Sequence, residues 1–317
     1  YSFAGENHKK GILLAEEEYN KKHPNARVKV IVEDDGFDVK KGLSAFKKLT
    51  TLDKVDALIM VSTPVIDSIY PEVNKLDMPV TNFGVQTIGI SPDNIYQMSP
   101  SGENLIAQYT EYLNTVPNKK MAVLYDNTSA GVVFLDSFKS IYTSGEYDSF
   151  KISGKGDLKG YANKIAKGDY DSVLFLTSPD NGALTVKELL VLTDRPIKYF
   201  FDAQLQTGLG DYKRILGDIK KLDGATTFWL KPGNTEAFIS AYKAKYGEEP
   251  GPIVDFGYDA FNTLMSAYDK DSKVWKDNIQ NMDTIGVSGA LTFDVNGVRK
   301  QSVIINKMEN GEIKPIE

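Results

Sequence analysis

Along this chain the spacing of apolar residues switches repeatedly between the helical and the strand period. Residues 7–22 set Ile12, Leu13, Ala15 and Tyr19 near helical spacing, and His23-Pro24-Asn25 ends that helix. RVKVIVEDD (27–35) then alternates, which predicts a strand running into an acidic loop. Asp38 stands in the N-cap position before VKKGLSAFKKLTTL, where Val39, Leu43, Phe46 and Leu49 share one face. DALIMV (56–61) is a nearly continuous apolar run, as expected of a strand covered on both faces. Ser62-Thr63-Pro64 opens the next helix, because proline suits a first helical turn, and MPVTNF returns to strand.

A second block repeats the theme. MAVLYD (121–126), DSVLFLTS (171–178) and IKYFFDA (197–203) read as strands, with SAGVVFLDSFKSIY and PDNGALTVKELLVLT as helices among them. Strands separated by helices imply parallel sheets with helices on both faces, and two such blocks imply two α/β lobes. After about residue 232 the pattern changes to helices over 234–246 and 253–270, a helix holding Trp275, and a late β region ending VIINKMENGEIKPI.

In open α/β sheets ligands sit beyond the carboxyl ends of the strands. The residues there are Asp34 and Asp35, Ser62 and Thr63, Asn82 to Gln86 with Phe83 among them, Asp126 and Asn127, Ser178 to Asn181, and Asp202 to Gln204. They are hydrogen-bonding groups with few titrating bases, a palette for binding more than for catalysis. Ser62 and Thr63 can cap the following helix, or the helix N-terminus can face an anionic group of a ligand; the two readings are compatible. Asp202 ends an aromatic and apolar strand, as an interlobe contact or, the reading favoured here, as the counter-charge for a ligand cation. Phe228 and Trp229 read as core.

The composition narrows the chemistry. The 317 residues include 43 acidic and 37 basic side chains, and no basic stripe with interleaved aromatics suggests nucleic-acid binding. The chain has no cysteine, so disulfides, thiolate catalysis and cysteine-based metal sites are excluded. The only histidines, His8 and His23, are expected to be solvated and not to act as bases. No G-x-S-x-G elbow, phosphate loop or dinucleotide fingerprint occurs. DDGFD (34–38) resembles part of a calcium loop but lacks the distal glutamate, so no metal site and no cofactor are expected.

PGPIVDFGYDAFNTLMSAYD followed by GVSGALTFDVNGVRKQSVIINKMENGEI resembles the end of a type I periplasmic-binding-fold protein, and more narrowly the branched-chain amino-acid receptor group of ABC-transporter solute-binding proteins. Those carry a G-Y-D-A helix and a G-x-x-G-x-x-x-F-D-x-x-G segment; EDDGFDVKKGLSAFKKL, DKVDALIMVSTPVIDSIYP and MAVLYDNTSAG fit in the same order. The resemblance implies two doubly wound parallel-sheet lobes joined by three crossovers, near Pro117, 229–233 and 298–301. The N-lobe would comprise 1–117 and 232–298 and the C-lobe 118–231 and 299–317, with ligand held in the cleft. Phe3-Ala4-Gly5 matches the end of the family's first loop, and the first N-lobe strand is absent from this numbering, so residues preceding Tyr1 are expected in the natural protein.

The resemblance also implies a role: an exported, monomeric receptor, periplasmic or membrane-anchored, that passes a small-molecule ligand to a membrane permease. Ser62 matches the hydroxyl position used for an α-carboxylate, and Asp202 an acidic position. Gln86 stands at a Thr-type position, Ser101 where an acidic group for the α-ammonium is common, and Ala130 where the family has an aromatic. Those three departures speak against an ordinary branched-chain amino acid as ligand. A sensory or regulatory domain of the same fold is the alternative, and an enzyme on a two-lobed scaffold the remote one.

Overall fold

The computed structural model describes residues 2–73, 75–83 and 94–316, of which residues 2–4, Thr63, Pro64 and Asp67 by backbone only. The first stretch runs α1 (Ser2–Lys22), α2 (Val39–Lys47), β1 (Leu58–Met60), α3 (Thr63–Val73), β2 (Val80–Asn82) and β3 (Ile95–Gln97). The middle stretch runs α4 (Gly102–Thr115), β4 (Lys120–Asp126), α5 (Ser129–Ile141), β5 (Glu146–Ile152), α6 (Lys155–Lys167), β6 (Ser172–Leu176), α7 (Pro179–Leu192), β7 (Lys198–Phe201), α8 (Gln204–Thr207), α9 (Leu209–Leu216) and β8 (Thr226–Leu230). Then follow α10 (Glu236–Tyr246), α11 (Val254–Ser266), α12 (Ser272–Gln280), β9 (Asp283–Gly286), β10 (Gly289–Phe293), β11 (Arg299–Lys300), β12 (Val303–Glu309) and β13 (Glu312–Pro315). Two compact units result. One holds the chain as far as Ser101 together with Lys231–Gln301, the other Gly102–Leu230 and the chain from Ser302 onward. Helix α4, within the N-lobe range expected from sequence, packs on α5 and β12 of the second unit.

The second unit is built on one sheet with strand order β13-β12-β8-β7-β6-β4-β5, parallel from β8 to β5 and antiparallel at β12 and β13. Alternation along β4 explains its apolar run. Met121 and Val123 enter one apolar cluster with Phe138 and Phe228, while Ala122 and Leu124 enter another with Phe175 and Phe201. A strand covered on both faces gains from apolar side chains at every position. The helices start where their caps dictate. Thr128 Oγ1 accepts the Gly131 N–H (3.0 Å) before α5, and Pro179 occupies the first position of α7.

The first unit holds a parallel sheet of order β1-β2-β3 and a separate antiparallel sheet β11-β10-β9. Asp38 Oδ1 accepts the Lys41 N–H (2.9 Å), the expected N-cap. Helix α1 begins at Ser2, ahead of its expected start, and packs along α11. Glycine makes that approach possible. A Cβ on Gly11 would lie 2.0 Å from the Val254 carbonyl oxygen, and one on Gly257 would lie 2.2 Å from that of His8. His8 is consequently 5% exposed, against the expectation that it is solvated, whereas His23 is exposed and stacked on Tyr19. The expected strand over 27–35 forms no ladder. No strand among the described residues runs beside it, and α1 side chains satisfy its backbone instead. Asn20 both accepts from Val28 N–H (2.8 Å) and donates to Val28 O (2.9 Å), and Glu16 accepts from Val30 N–H (2.8 Å).

Candidate functional site

In the second unit, chain order reverses at β4. It is flanked by β5 on one side and β6 on the other, so the crevice at its carboxyl end is the place where such sheets bind ligands. Asp126 closes β4 there, accepting the Ser178 N–H (2.7 Å) and the Asn181 side-chain amide (2.7 Å) from the start of α7. One strand further, Asp202 follows β7. It is 4% exposed, and its Oδ1 accepts the Gln204 N–H (2.9 Å); no cation lies against it among the described residues. Burial pushes its carboxyl up to about 8; the Gln204 N–H opposes this and the nearby Asp126 charge adds to it. Tyr212 is buried beside them, with its phenol held well above the usual range by burial and by both carboxylates. The Thr177 hydroxyl, at the end of β6, is buried without a hydrogen-bond partner. Of the other residues expected here, Asn127, Ala130 and Gln204 are exposed at the same strand ends.

The first unit has strand-end groups of its own. Ladder register aligns Met60, Asn82 and Gln97, so Ser62, Phe83 and Ser99 all leave the sheet at its carboxyl edge. The Ser62 carbonyl accepts the Ile66 N–H (3.0 Å) and so starts α3, but its hydroxyl is buried and makes no bond. The cap is thus made by the backbone, and the hydroxyl is left for something else. Phe83 is half-buried on this edge, and Ser101 is half-buried at the end of the unit's first segment. Phe3 lies in α1 and Thr63 opens α3, their side chains outside what the structure describes, and Gln86 lies outside the described residues.

Sequence reasoning missed a buried polar network behind this edge. Arg299 is fully buried, donating from Nε to Ala290 O (2.5 Å) and from Nη1 to Ser288 Oγ (2.9 Å) and Met98 O (3.4 Å). Ser288 in turn donates to Asp259 Oδ2 (2.5 Å), and Asp259 also accepts the Val287 and Ser288 N–H groups. Burial lowers the guanidinium to about 10 and raises Asp255 to about 6, Asp255 being further raised by Asp259. The signal was present in the G-Y-D-A and D-x-x-G-x-R segments, but an arginine after a turn reads as solvent-facing. Asp34 and Asp35 accept the Gly36 and Phe37 N–H groups, and no cluster of three metal-ligating side chains occurs among the described residues.

Comparison with known proteins agrees with this architecture. No curated protein sequence matches the chain. Among solved structures, the branched-chain amino acid transporter substrate binding protein LivJ from Streptococcus pneumoniae, in complex with isoleucine, is 19% identical with a TM-score of 0.74, over 98% of this chain and 93% of that one. The leucine binding protein LivK from Thermotoga maritima is 18% identical, TM-score 0.72, over 99% and 93%. A solute binding protein of an ABC transporter from Rhodopseudomonas palustris, in complex with 3,4-dihydroxybenzoic acid, is 20% identical, TM-score 0.74, over 99% and 91%. At these identities the likeness is one of fold, a type I periplasmic binding protein fold of mixed α/β lobes with parallel sheets. The family described as periplasmic binding protein matches residues 1–306, and the chain belongs to that family.

Proposed function

We propose that the protein is an extracytoplasmic solute-binding protein of an ABC importer. It captures a small polar solute, an amino acid or a compound built like one, by hinge closure and delivers it to the membrane permease. It works as a monomer, periplasmic or membrane-anchored, and catalyses no reaction. One observation carries this reading: the buried hydroxyls of Ser62 and Thr177 make no hydrogen bond, and the buried carboxyl of Asp202 has the Gln204 N–H but no cation against it among the described residues, all at the carboxyl ends of parallel strands. A buried polar group without a partner costs about 1–3 kcal/mol, which a solute carrying the complementary groups relieves. An ammonium suits Asp202 and a carboxylate suits Ser62. The solutes bound by the structural neighbours, isoleucine and dihydroxybenzoate, are small carboxylates. Neither histidine stands free at a strand end, since His8 is buried under Phe83 and His23 is exposed at a helix end, so the reading involves no general base.

A thermal-shift screen against the twenty amino acids, their amides and small carboxylates tests it. A solute at 100 times its Kd stabilises the fold by about 2.7 kcal/mol, a readily visible rise. The reading fails if no compound shifts the melting temperature and denaturation releases no bound solute. Ser62→Ala gives a sharper check. The hydroxyl is buried without a partner, so without solute the variant should be more stable than wild type by up to about 1–3 kcal/mol, while affinity falls by roughly two- to tenfold for the lost hydrogen bond. Equal losses in both measurements would return Ser62 to a purely structural role.

A further inference from the structure

The chain passes from one unit to the other three times, between Ser101 and Gly102, Leu230 and Lys231, and Gln301 and Ser302. Within the first unit these ends are held by one set of hydrogen bonds. Gln301 is 6% exposed, and its side-chain amide donates to Lys231 O (3.1 Å) and to Ser288 O (2.5 Å). Both acceptors are carbonyls, so the amide nitrogen, with its two hydrogens, is the end that must face them. Lys231 is fixed a second time through Gly233, whose N–H donates to Val287 O (3.1 Å). The remaining end is tied from Arg299, which donates from Nη1 to Ser288 Oγ (2.9 Å) and to Met98 O (3.4 Å), and by the Gln97 N–H on Gly297 O (2.8 Å). The turn carrying Ser288 is therefore common to all three. It leaves no slack: Gly289 has a φ of +116°, and a Cβ there would lie 2.4 Å from both Gln301 Nε2 and Lys231 O. The second unit fixes its own ends through α4, where Gln108 accepts the Val303 N–H (3.0 Å) and the Tyr109 hydroxyl donates to Thr226 O (2.9 Å).

We infer that Gln301 is a positioning residue for closure: it locks the second and third connections onto one turn of the first unit, so that they bend together. Bending is then confined to the residues around the three passages, and the protein opens and closes along one course. This deepens the proposed function and rests on its hinge-closure reading. The chemistry is specific to a primary amide. Glutamate of the same length has no hydrogen to give at neutral pH and turns lone pairs toward both carbonyls, and methionine keeps the length without a donor.

The test is spin-label distance measurement on the whole protein without solute, any co-purified solute having been removed by unfolding in guanidinium and refolding. The chain has no cysteine, so Lys187→Cys in α7 and Lys273→Cys in α12, both exposed and one in each unit, take the only labels. Gln301→Met and Gln301→Glu should each widen the distance distribution by about half or more, and hydrogen exchange over 229–234 and 299–303 should quicken by about two- to tenfold. Asn94→Leu is the control. The Asn94 amide is also buried and donates to the Val73, Leu76 and Met78 carbonyls, none of which lies at a connection. That variant should melt lower without widening the distribution, and thermal melts of all the proteins establish that each is folded. Unchanged widths in both Gln301 variants overturn the inference. So does equal widening by Asn94→Leu, since any loosening of the unit would then suffice. Widening by Gln301→Met alone also overturns it, because packing and not the amide would be responsible. Each of these outcomes leaves the solute-binding reading to the thermal-shift screen.

Discussion

Asp202→Asn should weaken binding of any ammonium-bearing solute by ten- to about a hundredfold, the loss of a charge-assisted hydrogen bond at a buried site. The same variant should be the more stable protein without solute. Asp202 has its carboxyl at about 8 in the fold against an ordinary 3.8, so the folded state keeps a proton that the unfolded state has released. Stability from this group is fully present below about pH 4 and drains away as pH rises to about 8. At pH 7 the difference is roughly 4 kcal/mol, and an amide that never ionises avoids most of it. Wild-type affinity for an ammonium solute should follow the opposite course. The carboxyl must ionise to receive the cation, so affinity rises about tenfold per pH unit up to about 8 and then levels, with one proton released on binding at pH 7. Calorimetry in two buffers of different ionisation heat reads that proton directly. Affinity that is flat from pH 6 to 8 with no proton released would mean that Asp202 does not hold the cation. A carboxylate solute without an amino group should show that flat profile.

Much of the fold was legible because the strands of the second unit are covered on both faces. MAVLYD, DSVLFLTS and IKYFFDA each lie on an observed strand, since a continuous apolar run has no other stable place in a chain of this polarity. Legibility ended where partners decide. The alternation of 27–35 is a genuine strand pattern, but a ladder needs a neighbour, and Asn20 and Glu16 took its backbone bonds instead. His8 reads as a polar residue near a helix start, and only the glycine opposite it in α11 explains its burial. The same limit applies to the candidate site. That Ser62 and Asp202 stand at strand ends could be read from sequence, because the end of a strand follows from its local apolar run. Arg299 could not, because its burial depends on the β10–β11 pairing that brings it to Ser288 and Ala290 and on Met98, which is 201 residues away and meets it only in the fold.

Gly257→Ala should be among the most damaging single-methyl changes in the chain. The added carbon would lie 2.2 Å from the His8 carbonyl oxygen and 2.9 Å from its Cα, both backbone atoms, so no side-chain rotation relieves the clash. Helices α1 and α11 must separate instead, opening a contact that is equally tight at Gly11, where the obstacle is the Val254 carbonyl at 2.0 Å. Overpacking of this kind costs about 1–3 kcal/mol and occasionally more, against which alanine recovers about 1 kcal/mol of helix propensity. For a unit of this size a net loss of about 1–2 kcal/mol lowers the melting temperature by roughly 2–8 °C. Gly160→Ala is the matched control: it lies within α6 with nothing inside 4 Å of the new carbon, so the propensity gain stands alone and the melting temperature should rise slightly. Differential scanning calorimetry of the two variants gives the comparison. Gly257→Ala melting at or above wild type would mean that the helices slide apart at no cost. If instead the loss is seen, binding should be measured alongside, because α1 carries His8 and the ring of Phe83, a candidate site residue, rests on His8.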